Sequence, residues 1–507
     1  MFNLAIILRE SADAFPEHSA IYFDGGRMTY DELDAGSDAV AEGLTAIGIR
    51  PGEKVALQLP NIPQFVVAYF GILKAGGVVV PLNPLFKARE VAYCLRHSTA
   101  RALITWAGAA TEAAKGAADA GVDAVYAVGP AGDSLKPFPE LLKHAPHRRP
   151  LAAREGVDTA AIVFTSGTTG TPRAAELTHM QLYMNADIPG RLFNVHPDDV
   201  VLTALPLFHV FGLSSILNIC IRFGCAMSLV PRFDPAAVLT AVQRDRVTIF
   251  EGVPTMFVAV LDYPDLDRFD TSSLRIAISG GSAIAAHVLD AFEARFDVVI
   301  LEGYGLTETA STTTFNTGVD NRRAYSVGKP IWGVEVQIWD DEGHCLPSGH
   351  EHIGELVTRG FHVMKGYFEQ PEATAKALAG GWLHTGDLGY MDEDGFFFIV
   401  DRKKELIIRG GYNVYPREVE EVLYSHPAVA DAAVFGVPDA RLGEEITAVV
   451  SLKPGASAEP QELVMYCRDR MASYKYPRTV EIRDELPKTS TGKIAKLELK
   501  YEIAGRR

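Results

Sequence analysis

Short, continuous apolar runs alternate with helical patterns along most of this chain, and that alternation constrains its fold more than any other feature. A strand pattern over 54–59 stops at Pro60. A helical pattern follows over 63–74, then Gly76-Gly77, then a second apolar strand over 78–82. Before it, 28–33 opens a helix that runs through Leu44, with Thr29 as its cap. A helix over 88–97 leads to a strand over 102–104, and an Ala-rich helix occupies 109–120. Runs buried on both faces and separated by helices specify α/β layers with parallel strands.

A Pro- and charge-rich connection over 131–157 interrupts the pattern, which resumes with strands at 159–164, 199–205, 225–230, 247–250 and 274–278. From 349 to 398 glycines recur every few residues between short apolar runs, which suggests a smaller β-structured section. Beyond the charged cluster Asp401-Arg402-Lys403-Lys404-Glu405 come a helix over 414–423, strands over 432–437 and 447–452, and a helix over 460–471. The expected organisation is a large α/β unit over 1–403 with layered sheets and a β-structured subdomain. A small, mobile α+β unit over 404–507 would follow it.

A chain of 507 residues, 48% apolar, has material for a large core and an attached smaller domain. Its net charge of −16 argues against a nucleic-acid surface. Cys94, Cys220, Cys225, Cys345 and Cys467 are too scattered for a disulfide framework, and no second cysteine or histidine pair completes a metal site around Cys220 and Cys225. The N-terminus lacks a basic start and a cleavage site, and the most apolar longer region, 210–221, is too short to span a bilayer. The expected location is the cytoplasm.

The first chemical signal is Phe164-Thr165-Ser166-Gly167-Thr168-Thr169-Gly170-Thr171-Pro172-Arg173, directly behind a strand. Its glycines let the backbone approach a polyphosphate, its hydroxyls add donors, and Arg173 adds charge. The same composition also suits an ordinary hairpin turn. It is not the G-x-x-x-x-G-K-[ST] loop. Farther on, Glu302-Gly303-Tyr304-Gly305-Leu306-Thr307-Glu308 sets an aromatic ring between glycines, which suits stacking on a purine, and adds a hydroxyl and a carboxylate that suit phosphate and Mg2+. Asp387, in Thr385-Gly386-Asp387, has the chemistry to hold a ribose, though alone it reads as a turn. His209 stands among aromatics in Phe208-His209-Val210-Phe211-Gly212 and reads equally as an interior residue. Lys488 and Lys493 lie in a polar loop near the end, by itself an exposed one.

Taken together these stretches, in order and over essentially the whole chain, resemble the adenylate-forming enzymes: acyl- and aryl-CoA synthetases, adenylation domains of peptide synthetases, and luciferases. The resemblance is strongest to bacterial fatty-acyl-CoA ligases. It implies that Thr165 to Thr171 and Arg173 hold the ATP phosphates, although the family loop ends Pro-Lys-Gly where this chain has Pro172-Arg173-Ala174. Gly281, Ser282 and Ala283 would line the adenine site with Glu302, Gly303, Tyr304 and Gly305, Tyr304 packing on the base. Thr307 would touch the α-phosphate and Glu308 would bind Mg2+. Asp387 and Arg402 would hold the ribose, and Lys493 would bridge carboxylate and α-phosphate. The acyl site would take Phe208, His209, Val210, Phe211, Gly212, Gly280 and Gly305. Lys404 would be the pivot of the small domain, and Arg409, Gly410, Gly411, Tyr412 and Asn413 would line the CoA path.

The implied activity is ATP-dependent acid–thiol ligation with ATP, Mg2+ and CoA. The acid is expected to be a medium- or long-chain fatty acid, because 208–212 is uncharged and Ala310, Ser311 and Thr312 are small. A benzoate or cinnamate is the alternative, and loading of a carrier protein is a further one. A luciferase-like oxygenase or a non-catalytic binding protein would be the different-class readings. Retention of Lys493, Glu308 and Asp387 argues against the binding protein.

Overall fold

The computed structural model describes residues 1–132, 135–143, 148–165, 172–439, 441–489 and 493–504. Among these, four sheets form. An eight-stranded sheet has the parallel strands Val78–Pro81, Lys54–Gln58, Ala100–Trp106 and Ala124–Val128 at its centre. A nine-stranded sheet runs Ile300–Tyr304, Ile276–Ser279, Ile249–Gly252, Val200–Thr203 and Ala226–Leu229 in parallel. A four-stranded antiparallel sheet is built from Val334–Trp339, Gly354–Gly360, Leu383–Met391 and Phe397–Arg402. The strands within 407–483 form a separate five-stranded sheet. This is the large α/β domain with a smaller C-terminal domain.

Local chemistry explains the helices. Tyr30–Ala46 starts in a reciprocal cap, where the Glu32 N–H donates to Thr29 Oγ1 at 3.2 Å and the Thr29 N–H donates to Glu32 Oε2 at 2.9 Å. Pro63–Lys74 opens on a proline, which needs no N–H bond there. The largest core lies between the two big sheets and takes in both helices and His179–Leu192. Lys74 is fully buried in it, which is tolerated because its ammonium meets Asp34 at 2.6 Å and Asp38 at 3.0 Å. No helix of the described residues is long and apolar enough to cross a membrane.

Some expectations shift. The strand Thr159–Thr165 pairs antiparallel with Arg173–Thr178, with Thr165 opposite Arg173. The strands on either side of the hydroxyl-rich stretch therefore pair with each other. Val414 ends a short strand, Tyr412–Val414, and the helix starts at Pro416 rather than 414, since proline fits a first helical turn and not a ladder. The helix from Pro460 stops at Arg468. The connection over 131–157 holds a short strand, Lys136–Pro137, and a 3-10 turn, Phe138–Leu142. The β-structured section begins earlier than 349, at Val334. The apolar region after His209 is a π-helix, Phe211–Asn218, continued by Ile219–Phe223. The hairpin Ser19–Phe23 and Gly26–Thr29 joins the nine-stranded sheet beside Ala226–Leu229, a pairing too distant for sequence to reveal.

Candidate functional site

The hairpin comes first. Thr165 and Arg173 face each other at its base, while Ser166, Gly167, Thr168, Thr169, Gly170 and Thr171 lie outside the described residues. A two-residue strand, Gly366–Tyr367, adds to this hairpin, with Tyr367 opposite Ala175. The Tyr367 hydroxyl donates to Glu308 Oε1 at 2.8 Å, and its ring centroid lies 5.2 Å from the Arg173 guanidinium. One buried tyrosine thus gathers the cation of the hairpin and the carboxylate expected at the metal. No motif marked Tyr367 in the sequence, where it is one aromatic in a turn-rich region. A single carboxylate completed by phosphate oxygens and water is a donor set that suits Mg2+, so the residues present fit that ion.

Glu308 stands in the 3-10 turn Thr307–Thr309, directly after the strand Ile300–Tyr304 and Gly305. The turn is tight enough to put Ala310 at φ 54° and Ser311 at φ 117°. A Cβ on Gly305 would lie 1.3 Å from the Ser311 carbonyl oxygen, so only glycine fits there. The Leu306 N–H donates to Thr309 Oγ1 at 2.8 Å, and the Met364 N–H donates to the Glu308 carbonyl at 2.8 Å. Glu302 is buried on the same strand, and burial pushes its carboxyl up to about 7 against the nearby Arg417 cation. Gly303 packs on Phe315, from which a Cβ would stand only 2.7 Å.

Tyr304 donates its hydroxyl to Asp387 Oδ2 at 2.6 Å, and Arg402 pairs with Asp387 Oδ1 at 3.0 Å. Asp387 and Arg402 sit opposite each other on the neighbouring strands Leu383–Met391 and Phe397–Arg402. Burial pushes the Asp387 carboxyl up, while Arg402 and the Tyr304 hydroxyl oppose that. Strand pairing alone therefore brings the two expected ribose residues together.

Gly280, Gly281, Ser282 and Ala283 form the turn after Ile276–Ser279. Phe211 packs on it, its ring 3.1 Å from where a Gly280 Cβ would stand. On Gly281, which has φ +80°, a Cβ would stand 3.6 Å from Cε and 3.9 Å from Nζ of Lys493. The C-terminal loop thus reaches into the cleft of the large domain. Burial, and next Arg402, push the Lys493 ammonium down to about 8, with Asp387 and Glu405 opposing. His209 is pushed down to about 4, by burial first and then by Lys493. The Phe211 N–H donates to His209 Nδ1 at 3.2 Å, which assigns the proton of the neutral ring to Nε2. Phe208 is half-buried and Val210 buried, and Gly212 is fixed by the Pro206 carbonyl, 2.4 Å from a Cβ placed there.

Lys404 is exposed in the turn 403–405, between Phe397–Arg402 and Ile407–Arg409. Its ammonium is lowered by partial loss of hydration, then by Arg173, Lys376 and Arg402, so positive charge converges near the hairpin. Lys376, on the helix Pro371–Ala377, was not singled out from the sequence. The stretch Arg409 to Asn413 forms a hairpin whose tip, Gly410 and Gly411, has φ +58° and +85°. Arg409 is committed to Glu445 at 2.6 Å, and Tyr412 stacks on Tyr474 with centroids 4.7 Å apart. These contacts lie within the small domain and not in the cleft.

Residues 8–368 match the AMP-binding enzyme family, and residues 418–493 match the AMP-binding enzyme C-terminal domain. A long-chain-fatty-acid–CoA ligase of Bacillus subtilis is 37% identical, over 99% of this chain and 94% of that one. A feruloyl-CoA synthase of an Amycolatopsis species is also 37% identical, over 96% of each chain. The crystal structure of the anthranilate CoA ligase AuaEII in complex with anthranoyl-AMP superposes with a TM-score of 0.94 at 29% identity, covering 100% of this chain and 98% of that one. The chain belongs to the AMP-binding, adenylate-forming enzyme superfamily and is related to fatty-acyl-CoA and aryl-CoA ligases.

Proposed function

We propose that this protein is an AMP-forming ligase that joins a carboxylic acid to CoA through an acyl-adenylate. The observation that carries this reading is the placing of Lys493 beside Gly281, in the electrostatic reach of His209, Asp387 and Arg402. A cation held there lies where a carboxylate would meet the α-phosphate of a nucleotide whose ribose is held by Asp387 and Arg402. The carboxylate oxygen attacks the α-phosphorus, the bond to pyrophosphate breaks, and Lys493 offsets the charge that builds on the phosphoryl oxygens. Glu308 would hold Mg2+, which would neutralise the departing phosphates. His209, kept neutral, borders the carboxylate without adding a competing cation. The unit 404–507 then turns about Lys404 and withdraws Lys493. Arg409 to Asn413 line the path of the CoA thiol, whose sulfur attacks the carbonyl carbon as AMP leaves. A reducing cytosol suits the five cysteines, none of which is paired.

For the acid, a medium- or long-chain fatty acid agrees with the uncharged segment 208–212 and with the relationship to long-chain-fatty-acid–CoA ligases. One observation favours an aromatic acid as the second reading: the Phe211 ring packs directly on the Gly280 backbone, as one wall of a flat slot. The test is pyrophosphate release, with and without CoA, over straight-chain acids from acetate to palmitate, benzoate, cinnamate, malonate and amino acids. A steep climb over several carbons supports the aliphatic reading. An optimum at benzoate or cinnamate supports the aromatic one, and turnover of none of these acids overturns the ligase.

A further inference from the structure

The helix His179–Leu192 continues without a break from the second hairpin strand, Arg173–Thr178. Its start is fixed by a reciprocal cap. The Gln181 N–H donates to Thr178 Oγ1 at 3.2 Å, and the Thr178 N–H donates to Gln181 Oε1 at 2.8 Å. Gln181 and Asn185 stand four residues apart, so they share one face of the helix, and both are buried. Both side chains spend their amides on the backbone around Glu308.

Asn185 reaches the turn that follows Glu308. Its Nδ2 donates to the Thr309 carbonyl at 3.3 Å and to the Thr312 carbonyl at 2.9 Å, and its Oδ1 accepts from the Thr312 N–H at 2.8 Å. No other side chain of this length offers two donors and an acceptor, since aspartate has no donor when ionised and serine has one. The turn needs such a clamp. Ala310 and Ser311 are consecutive non-glycine residues at φ 54° and 117°, a backbone that persists only where its surroundings hold it. The Ser215 hydroxyl adds a contact to the Ser311 hydroxyl at 2.7 Å. Gln181 reaches the other side, where its amide donates to the Val363 carbonyl. The next residue, Met364, donates its N–H to the Glu308 carbonyl at 2.8 Å, and the Lys365 N–H donates to the Glu176 carbonyl of the hairpin at 3.0 Å. The backbone on both sides of the Glu308 carboxylate is thus tied to one continuous element, strand into helix, that begins at Arg173.

We propose that Gln181 and Asn185 are positioning residues that hold the Glu308 carboxylate in register with the cation of the hairpin, so that metal and phosphates are bound as one unit. The proposal rests on the ligase reading above, which puts Mg2+ at Glu308 and the ATP phosphates at Arg173. Gln181 and Asn185 touch neither ligand; they act through Val363 and through the turn 309–312. Mg2+ demands near-ideal octahedral geometry at short, narrowly spread distances. A carboxylate displaced by a loosened turn therefore loses the metal before the site loses the nucleotide, because ATP without metal carries no such constraint.

The test is calorimetry of ATP binding, once with Mg2+ and once with EDTA in its place, on the unmodified protein, Asn185→Ser and Gln181→Met. The ratio of the two affinities is the gain that the metal confers. Each variant should lower that gain by about 10-fold, the scale of one or two lost hydrogen bonds, and leave the affinity for metal-free ATP as it is. A residue needed merely for folding would weaken ATP binding alike under both conditions. That result, or a gain kept in full by either folded variant, overturns the proposal and leaves the ligase intact. Gln181→Met keeps the length of the side chain and the N–H that bonds Thr178, so it decides alone should Asn185→Ser not fold. An unmodified protein that binds no ATP, or gains nothing from Mg2+, overturns the reading on which the proposal rests.

Discussion

Tyr304 Oη lies 2.6 Å from Asp387 Oδ2, across 83 residues of sequence. The bond ties the end of a strand in the nine-stranded sheet to the antiparallel sheet, so the residue expected at adenine and the residue expected at ribose brace each other. Arg402 holds the other carboxylate oxygen. With both oxygens engaged, the carboxylate is oriented before a nucleotide arrives.

Removing that brace should therefore weaken nucleotide binding. Tyr304→Phe should raise KM for ATP by roughly 10-fold or more, the scale of one hydrogen bond to a charged group, and leave KM for the acid nearly unchanged. Steady-state kinetics with each substrate varied in turn checks this, and an unchanged KM for ATP counts against the brace.

On the proposed mechanism Lys493 serves only the first of the two half-reactions. Lys493→Ala should slow adenylation by roughly 10²–10³-fold, the effect of losing one charge-stabilising donor. Thioester formation from supplied acyl-AMP and CoA should persist. Equal losses in both steps would remove Lys493 from the adenylating role.

The lowered Lys493 gives a pH signature. Its cation is present below about 8 and is lost as pH rises through that value. The kcat/KM for adenylation, which reports the free enzyme, should fall above about pH 8, approaching tenfold per unit. Lys493→Arg, charged throughout, should flatten this limb in whatever activity it retains. A profile flat to pH 10 in the unmodified enzyme contradicts the assignment.

Arg173 shares Tyr367 with Glu308, so its loss should be felt at the phosphates alone. Arg173→Lys should stay active, whereas Arg173→Ala should bind MgATP more weakly with little change toward the acid. Calorimetry of MgATP binding decides, and equal affinity in the alanine variant excludes the residue from the phosphate site.

The junction should be separable from the chemistry. Asp401 accepts from the Arg417 N–H at 3.0 Å, and Lys496 bridges Glu405 at 3.3 Å and Glu420 at 2.7 Å, which brace the turn holding Lys404. Lys404→Pro should leave acyl-AMP formation intact and block transfer to CoA. Normal overall turnover would show that rotation is centred elsewhere.

Where local chemistry decides structure, sequence was a good guide. The helix over 63–74 was read to the residue because proline and Gly76-Gly77 mark both ends, and Thr29 caps as its type suggests. Tyr304, Asp387, Arg402, Gly281 and Lys493 were recognisable as motif residues, and the fold brings them together. Non-local pairing was invisible. Nothing local announces that Gly366–Tyr367 joins the hairpin of Thr165 and Arg173. Asn185 escaped notice because an isolated amide reads as a surface residue, and only the fold shows its burial and the turn it holds.

The turn 403–405 also has a kinetic meaning. On the proposed mechanism it is the covalent tie between the cleft and the unit that delivers Lys493, so that ammonium would act at an effective concentration of millimolar order however dilute the protein. Severing the chain there would leave every catalytic group in place and change the order of the reaction. Closure, first-order on that mechanism, would become an encounter between two molecules, and activity would fall with dilution.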